Sequence, residues 1–261
     1  MGNKTEELLW MLLWTCETIS RPTFRNLTES FEGWAYRNGF LRQLQRLEKQ
    51  ELIESQSPGT GDRLHRLTQA GQLQALGGRD PETRWIRRWD GRWRLVLFDV
   101  PESRRSTRDK LRKYLHRHGF GFLQNSVWVT PDPVNLERSL LAGGPVDVES
   151  LILLEARQCA GETDAEIVAG AWDFAEINRR YAKHGQVLAR RPRGRIGSEP
   201  AAATFHRWLK EERLAWMSVV ELDPLLPSCL LPPEYAGADA WHDRVKAMAE
   251  AAKQMRAFQA A

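Results

Sequence analysis

Cysteine is scarce in this chain. Its 261 residues hold three, Cys16, Cys159 and Cys229, far apart and with no CxxC pair. That spacing argues against a disulfide framework or a zinc site and fits a reducing compartment, so a cytoplasmic location is expected. Long apolar runs are missing too. None approaches the ~18 residues of a membrane helix, so no membrane partner is expected. Leu8 to Trp14 is apolar, but Glu6 and Glu7 precede it and no small-residue cleavage site follows, which argues against a signal peptide. Catalytic signatures are also absent. There is no P-loop, dinucleotide fingerprint, HExxH or Ser-His-Asp order. The histidines, His65, His116, His118, His184, His206 and His242, show no metal-like clustering. An enzyme or a cofactor protein is therefore not the expected reading.

A hydrophobic content of 42% is enough for real cores and is not a disordered composition. The net charge of +4 hides a strong pattern. Residues 84–120 carry 12 basic and 4 acidic side chains, whereas residues 121–176 carry 2 basic and 10 acidic. Residues 177–195 carry 7 basic and none acidic. Blocks of opposite sign suggest surfaces that face each other, or a basic surface aimed at phosphate; solvated helix faces are the plainer account.

Three regions emerge, giving expected domains at 1–83, 84–181 and 182–261. In the first, Leu8 to Trp14 reads as an apolar helix and about 23–34 as a second. A third helix over about 36–50 places Phe40, Leu44 and Leu47 on one buried face. Its other face carries Arg37, Asn38, Arg42, Gln43, Arg46 and Lys49. Leu52 to Ser55 and Arg63 to Leu67 then read as strands joined by a turn at Pro58 to Asp62, and Thr68 starts a further helix. Three helices followed by a hairpin is the layout of a winged helix-turn-helix, whose third helix enters the major groove of DNA. Arg, Asn and Gln suit base edges there. Lys49, Arg63 and Arg66 suit phosphates. A polar helix face with no ligand, or one used for protein contacts, is the alternative.

The second region holds what reads as a complete β-α-β unit. Leu95 to Phe98 is short enough for a buried strand and ends at Asp99. Ser106 and Asp109 resemble a capping box, Leu111, Tyr114 and Leu115 fall at helical spacing, and Gly119 ends the helix. Phe122 to Val129 resumes a strand. Just before the unit, Trp85, Trp89 and Trp93 recur every four residues among Arg84, Arg87, Arg88, Arg92 and Arg94. On a helix the three rings would share a face, either as a cationic and aromatic wall for an effector or as packing core. The third region reads as a helix over Ala201 to Met217, a proline-rich loop over Asp223 to Pro233 and a helix over about 238–258. Arg190 to Gly197 reads as an exposed basic linker. His206 and Trp208 are further effector-contact candidates, because a cleft between the second and third regions would suit a small molecule.

Several separated stretches resemble the PaaX family of transcriptional repressors. They are Trp93 to Glu102, Gly119 to Leu123, Ser126 to Pro131, Ala156 to Gly161, Ala171 to Phe174, Asp223 to Pro227 and Leu230 to Pro232. Their order matches across most of the chain. The resemblance implies a multi-domain α+β protein with an N-terminal winged helix, a ferredoxin-like α/β middle domain and a helical C-terminal domain. It implies a homodimer on a double-stranded DNA operator, repressing a catabolic operon until released by a small-molecule effector such as an aryl-CoA thioester. The β-α-β unit also resembles the ferredoxin-like CRISPR-associated nuclease family. That second resemblance opens an alternative, a metal-dependent nuclease in which Asp99 of each protomer holds a hard cation. Otherwise Asp99 caps the following turn or pairs with a nearby arginine.

Overall fold

The computed structural model describes residues 9, 12, 41–56, 64–134, 150–159, 161–194 and 199–259. The helices are α1 (Leu41–Lys49), α2 (Gln69–Ala75), α3 (Pro81–Ile86), α4 (Arg105–Arg117), α5 (Asp164–Ala171), α6 (Phe174–Ala189), α7 (Glu199–Val220) and α8 (Gly237–Gln259). The strands are β1 (Ile53–Gln56), β2 (Leu64–Leu67), β3 (Trp93–Asp99), β4 (Gly121–Gln124), β5 (Val127–Thr130) and β6 (Ser150–Ala156). No described helix is long and apolar enough to cross a membrane. The chain divides into two compact units. One comprises residues 1–80, 182–217 and 238–261, and the other 81–181 and 218–237.

In the first unit α1 buries Leu44 and Leu47, the expected face, while Phe40 lies outside the described residues. The helix closes with a left-handed residue. Glu51 has φ 56°, and the Leu52 amide reaches back to the Leu47 carbonyl at 2.9 Å. This is a Schellman-type end in which glutamate occupies the position glycine fills most cheaply. Next, β1 and β2 pair antiparallel, with Ile53 opposite Leu67 and Gln56 opposite Leu64. Thr68 then caps α2, accepting from the Gly71 amide at 3.0 Å and donating to the Glu51 carbonyl at 2.7 Å. Gly71 has no room for a side chain, since a Cβ there would lie 1.9 Å from the Leu52 carbonyl oxygen.

The same unit contains an apolar cluster of Val187, Phe205, Trp208, Leu209, Met248 and Ala251. Beside it sits a buried charged group. Arg244 Nε donates to Glu212 Oε1 at 2.7 Å, and His184 Nε2 lies 3.0 Å from the same oxygen. The Arg244 guanidinium also lies over the Trp216 ring, 4.4 Å from its centre. Burial alone would push the Glu212 carboxyl up. Arg244 and His184 outweigh that and hold it below its ordinary value.

In the second unit a four-stranded antiparallel sheet has the order β4-β5-β3-β6. Because β5 is antiparallel to both β3 and β4, those two strands are parallel, and α4 makes the crossover between them. Val96 pairs with both Trp128 and Leu153, so these three share a face. They join Phe98, Val100, Leu111, Leu115, Phe120 and Val134 in the core. Burying these side chains contributes roughly 1.5–3 kcal/mol each. On the opposite face Ile152 and Leu154 of edge strand β6 are 49% and 48% exposed.

Two local expectations change here. Helix α4 starts at Arg105, and its cap residue, Arg104, makes no side-chain hydrogen bond, so Ser106 lies inside the first turn. The capping box belongs instead to Thr163 and Glu166 at the start of α5. The stretch 122–129 is two strands, because Asn125 adopts φ 50° and reverses the chain. Asn tolerates that conformation better than most residues. Gly119 does end α4, with φ 80° and the Phe120 amide bonded to the Leu115 carbonyl at 3.0 Å.

Candidate nucleic-acid interface

The candidate DNA contacts start on α1. Arg42, Arg46 and Lys49 are exposed, whereas Gln43 is half-buried. The two cations in the last turn also complement the helix dipole. On the hairpin, Arg66 is exposed. His65 beside it is turned into the ladder, where its Nδ1 lies 2.7 Å from Ser55 Oγ, and Ser55 also bonds Glu48 of α1. The hairpin is thereby tied to α1 by side chains as well as by the chain itself. Arg37, Asn38 and Arg63 lie outside the described residues.

The other candidates behave differently. Arg84 Nη2 meets Asp132 Oδ2 at 2.6 Å, and Arg87 Nε meets Asp132 Oδ1 at 2.7 Å. Arg87 also donates to the carbonyls of Arg84 and Leu225. Burial, then the neighbouring Arg84 charge, lowers the Arg87 pKa. Both side chains therefore hold the loop after β5, and Arg87 also reaches the proline-rich loop. Arg88 is exposed. The three tryptophans do not share a helix face. Trp85 is on α3, Trp89 lies in the loop and Trp93 opens β3. Trp89 donates to the Arg92 carbonyl at 3.0 Å and packs on Trp93, whose Nε1 donates to Asp164 at 2.8 Å. His206 is exposed on α7, and Trp208 is buried with its Nε1 donating to the Val187 carbonyl at 2.9 Å. His206 and Trp208 belong to the first unit, and Arg84, Arg87, Arg88, Trp89 and Trp93 to the second.

The opposed charge blocks meet inside the second unit. Besides the Asp132 pairs, Glu155 accepts from Arg92 at 2.7 Å and from Arg94 at 3.2 Å. Arg94 is nearly buried and also holds Asp90 at 2.5 Å. These contacts lower the Glu155 and Asp90 carboxyls, chiefly through hydrogen bonds from Arg92 and Arg94 respectively. What remains outward is the basic surface of α4, including exposed Arg105, Lys110, Lys113 and Arg117. Asp99 is exposed at the end of β3, opposite Ser150. Among the described residues no three His, Cys, Asp or Glu side chains are grouped to hold a metal.

Sequence reasoning missed one centre completely. Asp223 is fully buried and accepts from the Tyr181 hydroxyl at 2.5 Å, the Tyr235 hydroxyl at 2.6 Å and the Leu225 amide at 2.8 Å. Burial, then the Asp223 charge, drives both tyrosines upward. Tyr235 also accepts from Trp85 Nε1 at 3.1 Å. The Asp-Pro-Leu-Leu-Pro stretch is thus a strut that ties the proline-rich loop to α6 and α3. The signal was an acidic residue opening an otherwise apolar, proline-bounded run.

An α+β unit with this strand order and a basic crossover helix defines a class of fold rather than an activity. The comparison with known proteins is more particular. Residues 86–168 match the family described as the PaaX protein central Cas2-like domain. That match covers about a third of the chain and shows what this stretch is similar to. No curated protein matches its sequence. Among solved structures the uncharacterized protein Rv0674 from Mycobacterium tuberculosis is similar, with a TM-score of 0.54 and 20% identity. That match covers 95% of this chain and 97% of the other, so the likeness of fold runs through nearly the whole molecule.

Proposed function

We propose that the protein is a DNA-binding transcriptional regulator and not an enzyme, acting as a repressor of a catabolic operon that a small-molecule effector such as an aryl-CoA thioester releases. The observation that carries this reading is the match of residues 86–168 to the PaaX central domain. The N-terminal segment supports it. Helix α1 presents Arg42, Arg46 and Lys49 outward and is followed by an antiparallel hairpin bearing Arg66. That order suits a winged helix over 1–83 whose α1 reads the major groove, Arg37, Asn38, Arg42, Gln43 and Arg46 facing bases and Lys49, Arg63 and Arg66 facing phosphates.

The strand order of the second unit suits a ferredoxin-like middle domain. Exposed Ile152 and Leu154 on edge strand β6 offer apolar surface for a homodimer to cover. A two-fold dimer would match a palindromic operator. An effector acts by binding better to the geometry that does not fit the operator, and it lowers DNA affinity only by that difference. Gel-shift titration of Arg42→Ala and Arg46→Ala on a bound promoter fragment tests the α1 assignment. Each should weaken binding by about 1–3 kcal/mol if it reads a base edge. Unchanged binding in both would remove α1 from the interface.

A further inference from the structure

The second unit carries a half-open cavity of about 820 Å³ that no site described above uses. Its walls come from the C-terminal end of α4, β4, α5, the start of α6 and the proline-rich loop. Phe120, Trp172, Ile177 and Leu230 are buried wall residues, and Leu222 and Pro232 complete the apolar surface. The Trp172 wall is set in place from two sides. Its Nε1 donates to the Gly119 carbonyl at 3.2 Å, and its ring seats on Gly121, where a Cβ would lie only 2.6 Å away. The size falls within the ~300–1,000 Å³ of small-molecule sites, and fixed aromatic walls are what such sites are made of.

Charge decides what such a cavity admits. Among the described residues its lining includes no lysine or arginine. The carboxylate-bearing residues Asp173 and Glu234 line it, and both are exposed. Among the described residues His116 and the Cys229 thiol are its other ionisable walls. Partial burial, then the nearby Arg112, lowers the His116 pKa. A ligand anion seated against these walls would lose part of its water and gain no lysine or arginine countercharge from the described lining, which is unfavourable.

We infer that this cavity is a binding site for an uncharged aromatic group, held between the Trp172 wall and the proline-rich loop, with any anionic part of the ligand left outside. The inference rests on the regulator reading only in treating that group as part of an effector. Occupancy is measurable without DNA, so failure of one reading is distinguishable from failure of the other.

Two positions make the test clean. Gly170 lines the cavity, and a Cβ there meets nothing within 4 Å. Cys229 also lines it and is exposed, while exposed Cys159 is absent from the lining. The full chain is titrated calorimetrically with 2-naphthamide and with its anionic isostere 2-naphthoate, and cysteine alkylation is followed peptide by peptide. The amide should bind at least about tenfold more tightly than the carboxylate, because burying an unpaired charge is disfavoured. It should slow alkylation of Cys229 but not of Cys159. Gly170→Phe and Gly170→Leu should abolish both effects, and Gly170→Ala should keep them. Absence of amide binding, equal binding of the carboxylate, equal protection of both cysteines, or unchanged binding in folded Gly170→Phe and Gly170→Leu proteins would each overturn the assignment.

Discussion

Two glycines near the α5 and β4 contact should respond to alanine with opposite signs. At Gly121 a Cβ would lie 2.6 Å from both Ala171 Cβ and Trp172 Cε2. Carbon atoms pack at about 3.5–4.0 Å, so the overlap approaches about 1 Å. Neither neighbour can yield cheaply. Ala171 Cβ is fixed to the α5 backbone, and the Trp172 ring is held by its bond to Gly119. Overpacking of this kind costs about 1–3 kcal/mol. Removing a glycine from a strand returns about 0.5–1 kcal/mol. Because neither neighbour yields, the cost belongs in the upper half of that range, about 2–3 kcal/mol, and Gly121→Ala should lose a net of about 1–2.5 kcal/mol. Gly170, immediately before Ala171 on α5, has open space at its Cβ. Gly170→Ala should gain up to about 1 kcal/mol from helix propensity. Urea unfolding followed by tryptophan fluorescence reads both. A neutral or stabilising Gly121→Ala, or a Gly170→Ala less stable than Gly121→Ala, would refute the packing argument.

Other outcomes follow from the same structure. Glu51→Gly should raise stability by about 0.5–1 kcal/mol in urea unfolding, because Glu51 holds φ 56° at the end of α1. Gly71→Ala should do the reverse and loosen α2, seen as faster exchange of the Gln72 amide, since the added Cβ would collide with the Leu52 carbonyl. Glu212→Gln should cost about 3 kcal/mol, because it removes the negative charge that the buried Arg244 guanidinium meets at 2.7 Å. The lowered Glu212 carboxyl adds stability that is complete above its ordinary value of 4.5 and disappears as pH falls from there through its folded value. The Gln variant should therefore lose stability less steeply than the wild type below pH 4.5 in acid titrations by circular dichroism.

Much of this architecture was legible from periodicity and punctuation. The apolar run Leu95 to Phe98 lies within β3, Gly119 ends α4, and α7 and α8 cover the spans expected from their spacing. Short-range rules failed where tertiary contacts took over. Trp85, Trp89 and Trp93 share helical spacing, yet β3 claims Trp93 because its backbone pairs with Ala156 of β6. Arg84 and Arg87 looked like free cations, and only the fold reveals Asp132, far along the chain, as their partner. The same long reach explains why the cavity was invisible in sequence, since its walls are apolar residues drawn from α4, α5, α6 and the proline-rich loop. Asp99 was easy to notice and turned out to be exposed at a strand end, whereas Asp223, hidden among leucines and prolines, organises a buried network.

The regulator reading is tested most directly by genome-wide mapping of the DNA bound by the full chain, repeated with candidate CoA thioesters. The account predicts discrete palindromic sites at promoters, depleted when the matching thioester is supplied. Binding spread evenly along the genome, or no recovered DNA, would contradict it.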